Sequence, residues 1–94
     1  MGFGTLKIIN NTSAIHYVSV SKHRVFDNGD PIYIGQSGHE SWTRWTGPSN
    51  TFTVSLYWAK VVWSVPQSYE PGSLICTFEK YLTDDQELYI ADLR

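Results

Sequence analysis

Three histidines, one cysteine and nine carboxylates are the groups in this 94-residue chain that could do chemistry. His16, His23 and His39 are too scattered for the short-range spacing of a zinc site, and a single thiol, Cys76, cannot complete a thiolate set. His16 alternates with Val18 and Val20, the pattern of a sheet residue with a hydrogen-bonded ring. Asp27-Asn28-Gly29-Asp30 has the opening of a calcium loop but lacks the glutamate that closes one, so it reads as a turn. Cys76 stands among Leu74, Phe78 and Leu82 and reads as a small buried hydrophobe. Gly35 and Gly38 make a hairpin turn rather than a phosphate loop, and Glu70, Glu79 and Glu87 have no partner that the sequence places beside them. No nucleophile with its base, no carboxylate pair and no metal set can be assembled. The expectation is a protein with no enzymatic activity, no bound metal and no cofactor.

The aromatics offer a different chemistry. Four tryptophans, six tyrosines and four phenylalanines exceed what a core of this size needs. Trp and Tyr stack on the C–H face of a sugar or sit at the headgroup level of a membrane. Trp42 and Trp45 are three apart, so a regular strand cannot turn both inward. Tyr57 falls on the polar side of its segment, and Tyr33, Tyr69 and Trp45 lie next to turns or in a loop. These five are the candidate stacking residues, with Asp27, Asn28, Asp30 and Gln36 as hydroxyl partners. In a lipid-binding alternative the same rings meet the headgroups while Lys22 and Arg24 meet phosphates.

The elements that must position them are strands. Thr51 to Trp58 alternates without a fault, Phe52, Val54, Leu56 and Trp58 on one side and Thr51, Thr53, Ser55 and Tyr57 on the other. Turn residues divide the chain into about seven to eight short strands: 5–10, 15–21, 32–34, 40–45, 51–58, 61–65, 74–82 and 87–93. Ala59-Lys60 reads as a tight break, Pro66 to Gly72 as a loop, and Thr83-Asp84 as a possible cap for one helical turn. Asn10 to Ser13 contains two overlapping glycosylation patterns that an Asn-rich turn explains as well. Strands recurring every 8 to 12 residues predict an all-β, two-layer antiparallel β-sandwich in one domain, 1–94. The expected inward residues are Ile8, Val18, Val20, Ile34, Phe52, Val54, Leu56, Trp58, Trp63, Leu74, Cys76, Phe78, Leu88 and Ile90.

Composition narrows the partners. A net charge of −2 argues against nucleic acid, whose binders carry a basic face. One cysteine closes no internal disulfide, which fits a reducing compartment. No apolar run approaches a membrane span, and the first residues show no basic region followed by an apolar stretch. A cytoplasmic protein, or one released without a visible signal peptide, is expected. Val61-Val62-Trp63, apolar on both sides, makes a homodimer through an edge or an aromatic face a further expectation.

Leu-Lys-Ile-Ile-Asn-Asn-Thr at 6–12, Tyr-Val-Ser-Val-Ser at 17–21 and Tyr-Ile-Gly-Gln-Ser-Gly-His-Glu-Ser-Trp-Thr-Arg-Trp at 33–45 resemble the opening of small fungal β-sandwich proteins. The pattern is similar to that of aegerolysins and of the actinoporin-like fold shared by pore-forming toxins and fruit-body lectins. It covers about the first half of the chain, and the amphipathic N-terminal helix of a pore former is missing. The resemblance implies a sandwich that recognises lipid or glycan, and assigns no residue. A binding module, carbohydrate first, with a lipid-surface binder of cytolysin-like type or a self-assembling structural protein as the alternatives, is the functional expectation.

Overall fold

Phe52, Val54 and Leu56 are buried while Thr53, Ser55 and Tyr57 are only partly so; the alternation of 51–58 therefore builds a strand with one face on a core. A computed structural model describes residues 2–21 and 29–94. Within them are seven strands, β1 (Phe3–Ile9), β2 (His16–Val20), β3 (Ile32–Ile34), β4 (His39–Trp45), β5 (Phe52–Ser64), β6 (Gln67–Lys80) and β7 (Gln86–Tyr89), and one helical turn, α1 (Ile90–Leu93). They form a three-stranded sheet, β4-β1-β7, and a four-stranded sheet, β3-β2-β5-β6. The all-β, two-sheet expectation holds. One pairing departs from it, because β1 and β7 run parallel.

The core lies between the sheets. Leu6 and Ile8 of β1 meet Val18, Val20, Ile34, Phe52, Val54 and Leu56 of the larger sheet, and Leu82 and Ile90 close the ends. Each such side chain stabilises the fold by about 1.5–3 kcal/mol relative to leaving it in water. Trp42, Cys76, Phe78 and Leu88 are partly buried against the cluster. Asn10, fully buried, ends β1: its amide donates to the carbonyls of Ala14 and Ile34, and its oxygen accepts from Thr12. The Asn-rich turn is therefore a hydrogen-bonded knot in which the Asn10 amide is fully used.

Arg44 is also buried and joins the sheets. It reaches from β4 to donate to the carbonyls of Val20 (3.0 Å) and Ser21 (3.4 Å) and lies 6.0 Å from the Phe52 ring, and burial lowers its pKa. Gly4 is needed where it stands, because a Cβ there would fall 2.7 Å from the Asp84 carbonyl oxygen. That close approach lays the β6–β7 connection against β1.

Three expected core residues are exposed, and each has a physical reason. Ala59-Lys60 does not break the chain; β5 runs on to Ser64, and β6 starts at Gln67 within the expected loop. Val, Trp and Tyr favour extended backbone whether or not a core lies beneath. β2 stops pairing with β5 at His16–Trp58, and no residue of β5 past that point is buried, which leaves Trp58 half-exposed at the end of the core face and Trp63 in solvent. Leu74 is turned out by a register shift: Leu56 faces Cys76 but Tyr57 faces Leu74, so Ile75 is an extra residue that exchanges the faces of β6. The helical turn forms at Ile90–Leu93 rather than at Thr83-Asp84, shortening the last strand.

Candidate functional site

Beyond Trp58 the β5–β6 hairpin leaves the sandwich as a two-stranded arm, closed by the Val65-Pro66 turn. Ala59 pairs with Pro71, Lys60 with Glu70, Val61 with Tyr69, Trp63 with Ser68 and Ser64 with Gln67; Val62 is an extra, bulged residue. The tip is apolar and open: Val61 is 50% exposed, Val62 45%, Trp63 68% and Val65 88%. Lys60 and Glu70, 3.7 Å apart, form an exposed ion pair in the shaft, worth at most about 1 kcal/mol.

At the root of the arm, Trp58 lies 4.9 Å from the His16 ring and 5.5 Å from the Arg94 guanidinium. Arg94 Nη1 is 3.2 Å from His16 Nε2, and an arginine can only donate, so the ring proton is on Nδ1 and donates to the Tyr57 carbonyl at 3.0 Å. Burial holds the His16 pKa below its ordinary 6.5, with the positive Arg94 adding to the effect and the Tyr57 hydrogen bond opposing it. The fold therefore favours neutral imidazole, whereas the unfolded chain takes up the proton near its ordinary pKa. His16 contributes stability that is complete above 6.5 and lost as pH falls toward and through its lowered folded value. Urea midpoints compared between about pH 7.5 and 5.5 are expected to fall more steeply for the wild type than for His16→Gln.

A second aromatic group lies on the outer face of the four-stranded sheet. Tyr17 pairs in register with both Tyr33 and Tyr57. The Tyr17 and Tyr33 rings meet edge to face at 5.7 Å, and Tyr69 of the arm comes to 6.0 Å from Tyr33. Burial, with Tyr33 and the Glu70 carboxylate adding, raises the pKa of Tyr17.

The third group is on the outer face of the three-stranded sheet. Phe3 and Trp45 face each other across β1 and β4 with ring centroids 3.9 Å apart. Further along these strands is an open groove of about 460 Å³, lined by Thr5, Lys7, Ser41, Asp85, Gln86 and Glu87.

The nine residues expected to bind are thus dispersed. Tyr33, Tyr57 and Tyr69 share one sheet face through Tyr17. Trp45 is on the opposite side of the molecule, and Trp42, three residues earlier, is turned inward and partly buried against the core. Asp30 is exposed ahead of β3, and the Gln36 amide is held by the Ser13 carbonyl. Asp27 and Asn28, with Lys22 and Arg24, lie outside the described residues. Among the described residues no three His, Cys, Asp or Glu side chains cluster as metal ligands. Phe3, Val61, Val62, Trp63 and Val65 were not among the expected binding residues. For the four arm residues the signal was an apolar, β-favouring run from Val61 to Val65 with only Ala59-Lys60 separating it from the preceding strand. Compared with known proteins, the chain matches no family model, no curated protein and no solved structure.

Proposed function

We propose that this chain is a non-enzymatic recognition module that docks on a lipid surface through the tip of the β5–β6 arm. The observation that carries the reading is the exposure of Val61, Val62, Trp63 and Val65 on a projection of the fold. An isolated two-stranded ribbon is marginally stable in water, so an apolar one gains from contact with another phase. Tryptophan favours the headgroup boundary. The paired part of the arm, about six residues at about 3.4 Å each, reaches roughly 20 Å, short of a ~30 Å hydrocarbon core. Its outer edges keep open backbone groups, which hold it at headgroup depth.

A second copy of the chain is a weaker occupant. Pro71 offers no N–H, and the bulge at Val62 twists the arm, devices by which strands avoid edge pairing. Among the described residues the cation of the arm, Lys60, is in the shaft beside Glu70, so the attraction is apolar and persists in salt.

Sedimentation with phosphatidylcholine vesicles tests the reading. The wild type is expected to sediment at low and high salt alike. Trp63→Ala with Val65→Ser is expected to weaken binding about tenfold or more, since burying each side chain contributes about 1.5–3 kcal/mol. Failure to sediment, an unaffected double variant, or a Trp63-dependent dimer in solution in place of vesicle binding would each overturn it.

A further inference from the structure

We infer that the outer face of the β4-β1-β7 sheet is a separate site for a neutral carbohydrate, seated on Phe3 and Trp45 and held by the polar groove beside them. Phe3 is 61% exposed and Trp45 42%; their stacking at 3.9 Å covers one face of each ring and holds the pair as one apolar block, with the rest of both rings open. Register then carries the face from Phe3–Trp45 to Thr5–Thr43 and Lys7–Ser41, with Glu87 beside Lys7 across the parallel pair. Successive residues on one face are about 7 Å apart, so the groove starts about one sugar ring from the platform. Its volume, about 460 Å³, is in the range of small-molecule sites.

The groove is fixed before a ligand arrives. The Asp85 carboxylate accepts the Thr5 backbone N–H at 2.9 Å, and Glu87 accepts the Tyr89 hydroxyl at 3.1 Å. The remaining groups are unspent: the Thr5 and Ser41 hydroxyls, the Lys7 ammonium and the Gln86 amide make no hydrogen bond to another described residue. Donors on one wall and carboxylate acceptors on the other, next to an apolar platform, match a pyranose, which has a C–H face and a rim of hydroxyls. Asp85 and Glu87 against Lys7 leave the groove net negative, which disfavours acidic sugars.

This site is independent of the lipid reading, and one experiment separates them. The intact protein and three variants are applied to an array of neutral hexosides and N-acetylhexosaminides, with phosphatidylcholine vesicles in parallel. The wild type is expected to be retained on a subset of the sugars. Trp45→Ala and Lys7→Ala are expected to lose about tenfold in retention with vesicle sedimentation unchanged, while Trp63→Ala keeps its sugar binding. Both altered residues are on the surface, and far-UV circular dichroism confirms the fold of each. No retained sugar, or retention that follows Trp63 and ignores Trp45 and Lys7, would overturn the inference.

Discussion

Asn10→Ala is expected to lower the melting temperature by roughly 10–20 °C, from a cost of about 2–3 kcal/mol at the 4–8 °C per kcal/mol typical of a domain this size. Asn10 is fully buried, and its side chain makes four hydrogen bonds: donation to Ala14 O (2.8 Å) and Ile34 O (2.9 Å), and acceptance from Thr12 N (3.0 Å) and Thr12 Oγ1 (2.7 Å). Its backbone adds two more, to Gly38 O and from Ser37 N, which alanine keeps. Alanine removes the donation to the Ile34 carbonyl in the interior and loosens the turn that enters β2. Asn11→Ala is the control, since its contact, accepting the Ala91 N–H, is exposed. A thermal melt followed at 218 nm, near the sheet signal, decides it; equal shifts for the two variants would show that the knot at Asn10 is not a keystone.

Leu56→Ala is expected to cost about 3 kcal/mol, within the 2–5 kcal/mol of buried leucine truncations, whereas Trp63→Ala, a larger deletion on the same strand, is expected to stay within about 0.5 kcal/mol of wild type. Leu56 is fully buried at the centre of the core and Trp63 is 68% exposed on the arm. Urea unfolding of both variants measures the contrast. A large loss at Trp63 would mean that the arm folds against the body of the protein instead of standing in solvent.

That contrast also marks where the sequence stops being informative. Alternation reports which side chains share a face of β5, and for Phe52 to Leu56 this was enough to name the core. It carries no information on how far the opposing sheet extends: Trp58, at the end of the core face, is covered only by His16 and Arg94, and Trp63 beyond it stands in solvent. Leu74 was lost to the extra residue at Ile75, since a bulge leaves local composition unchanged while exchanging faces. Arg44 was overlooked because its partners, the carbonyls of Val20 and Ser21, are supplied by another sheet. That Trp42 and Trp45 do not both turn inward was legible, but not which of them does, nor that Phe3 would meet Trp45. Tyr33 and Tyr69 are far apart in sequence, and their rings come within 6.0 Å only in the folded chain.

The two proposed contact surfaces differ in how the chain encodes them. The arm is a single uninterrupted stretch from Ala59 to Pro71, and closing it requires only the turn at Val65-Pro66. The groove needs Thr5 and Lys7 beside Glu87, and bringing together segments about 80 residues apart costs on the order of 4 kcal/mol in chain entropy before any contact forms. The arm is therefore modular: its sequence can lengthen, shorten or change tip residues with little consequence for the body. The groove is a property of the completed fold, and it disappears with any change that frees β7 from β1.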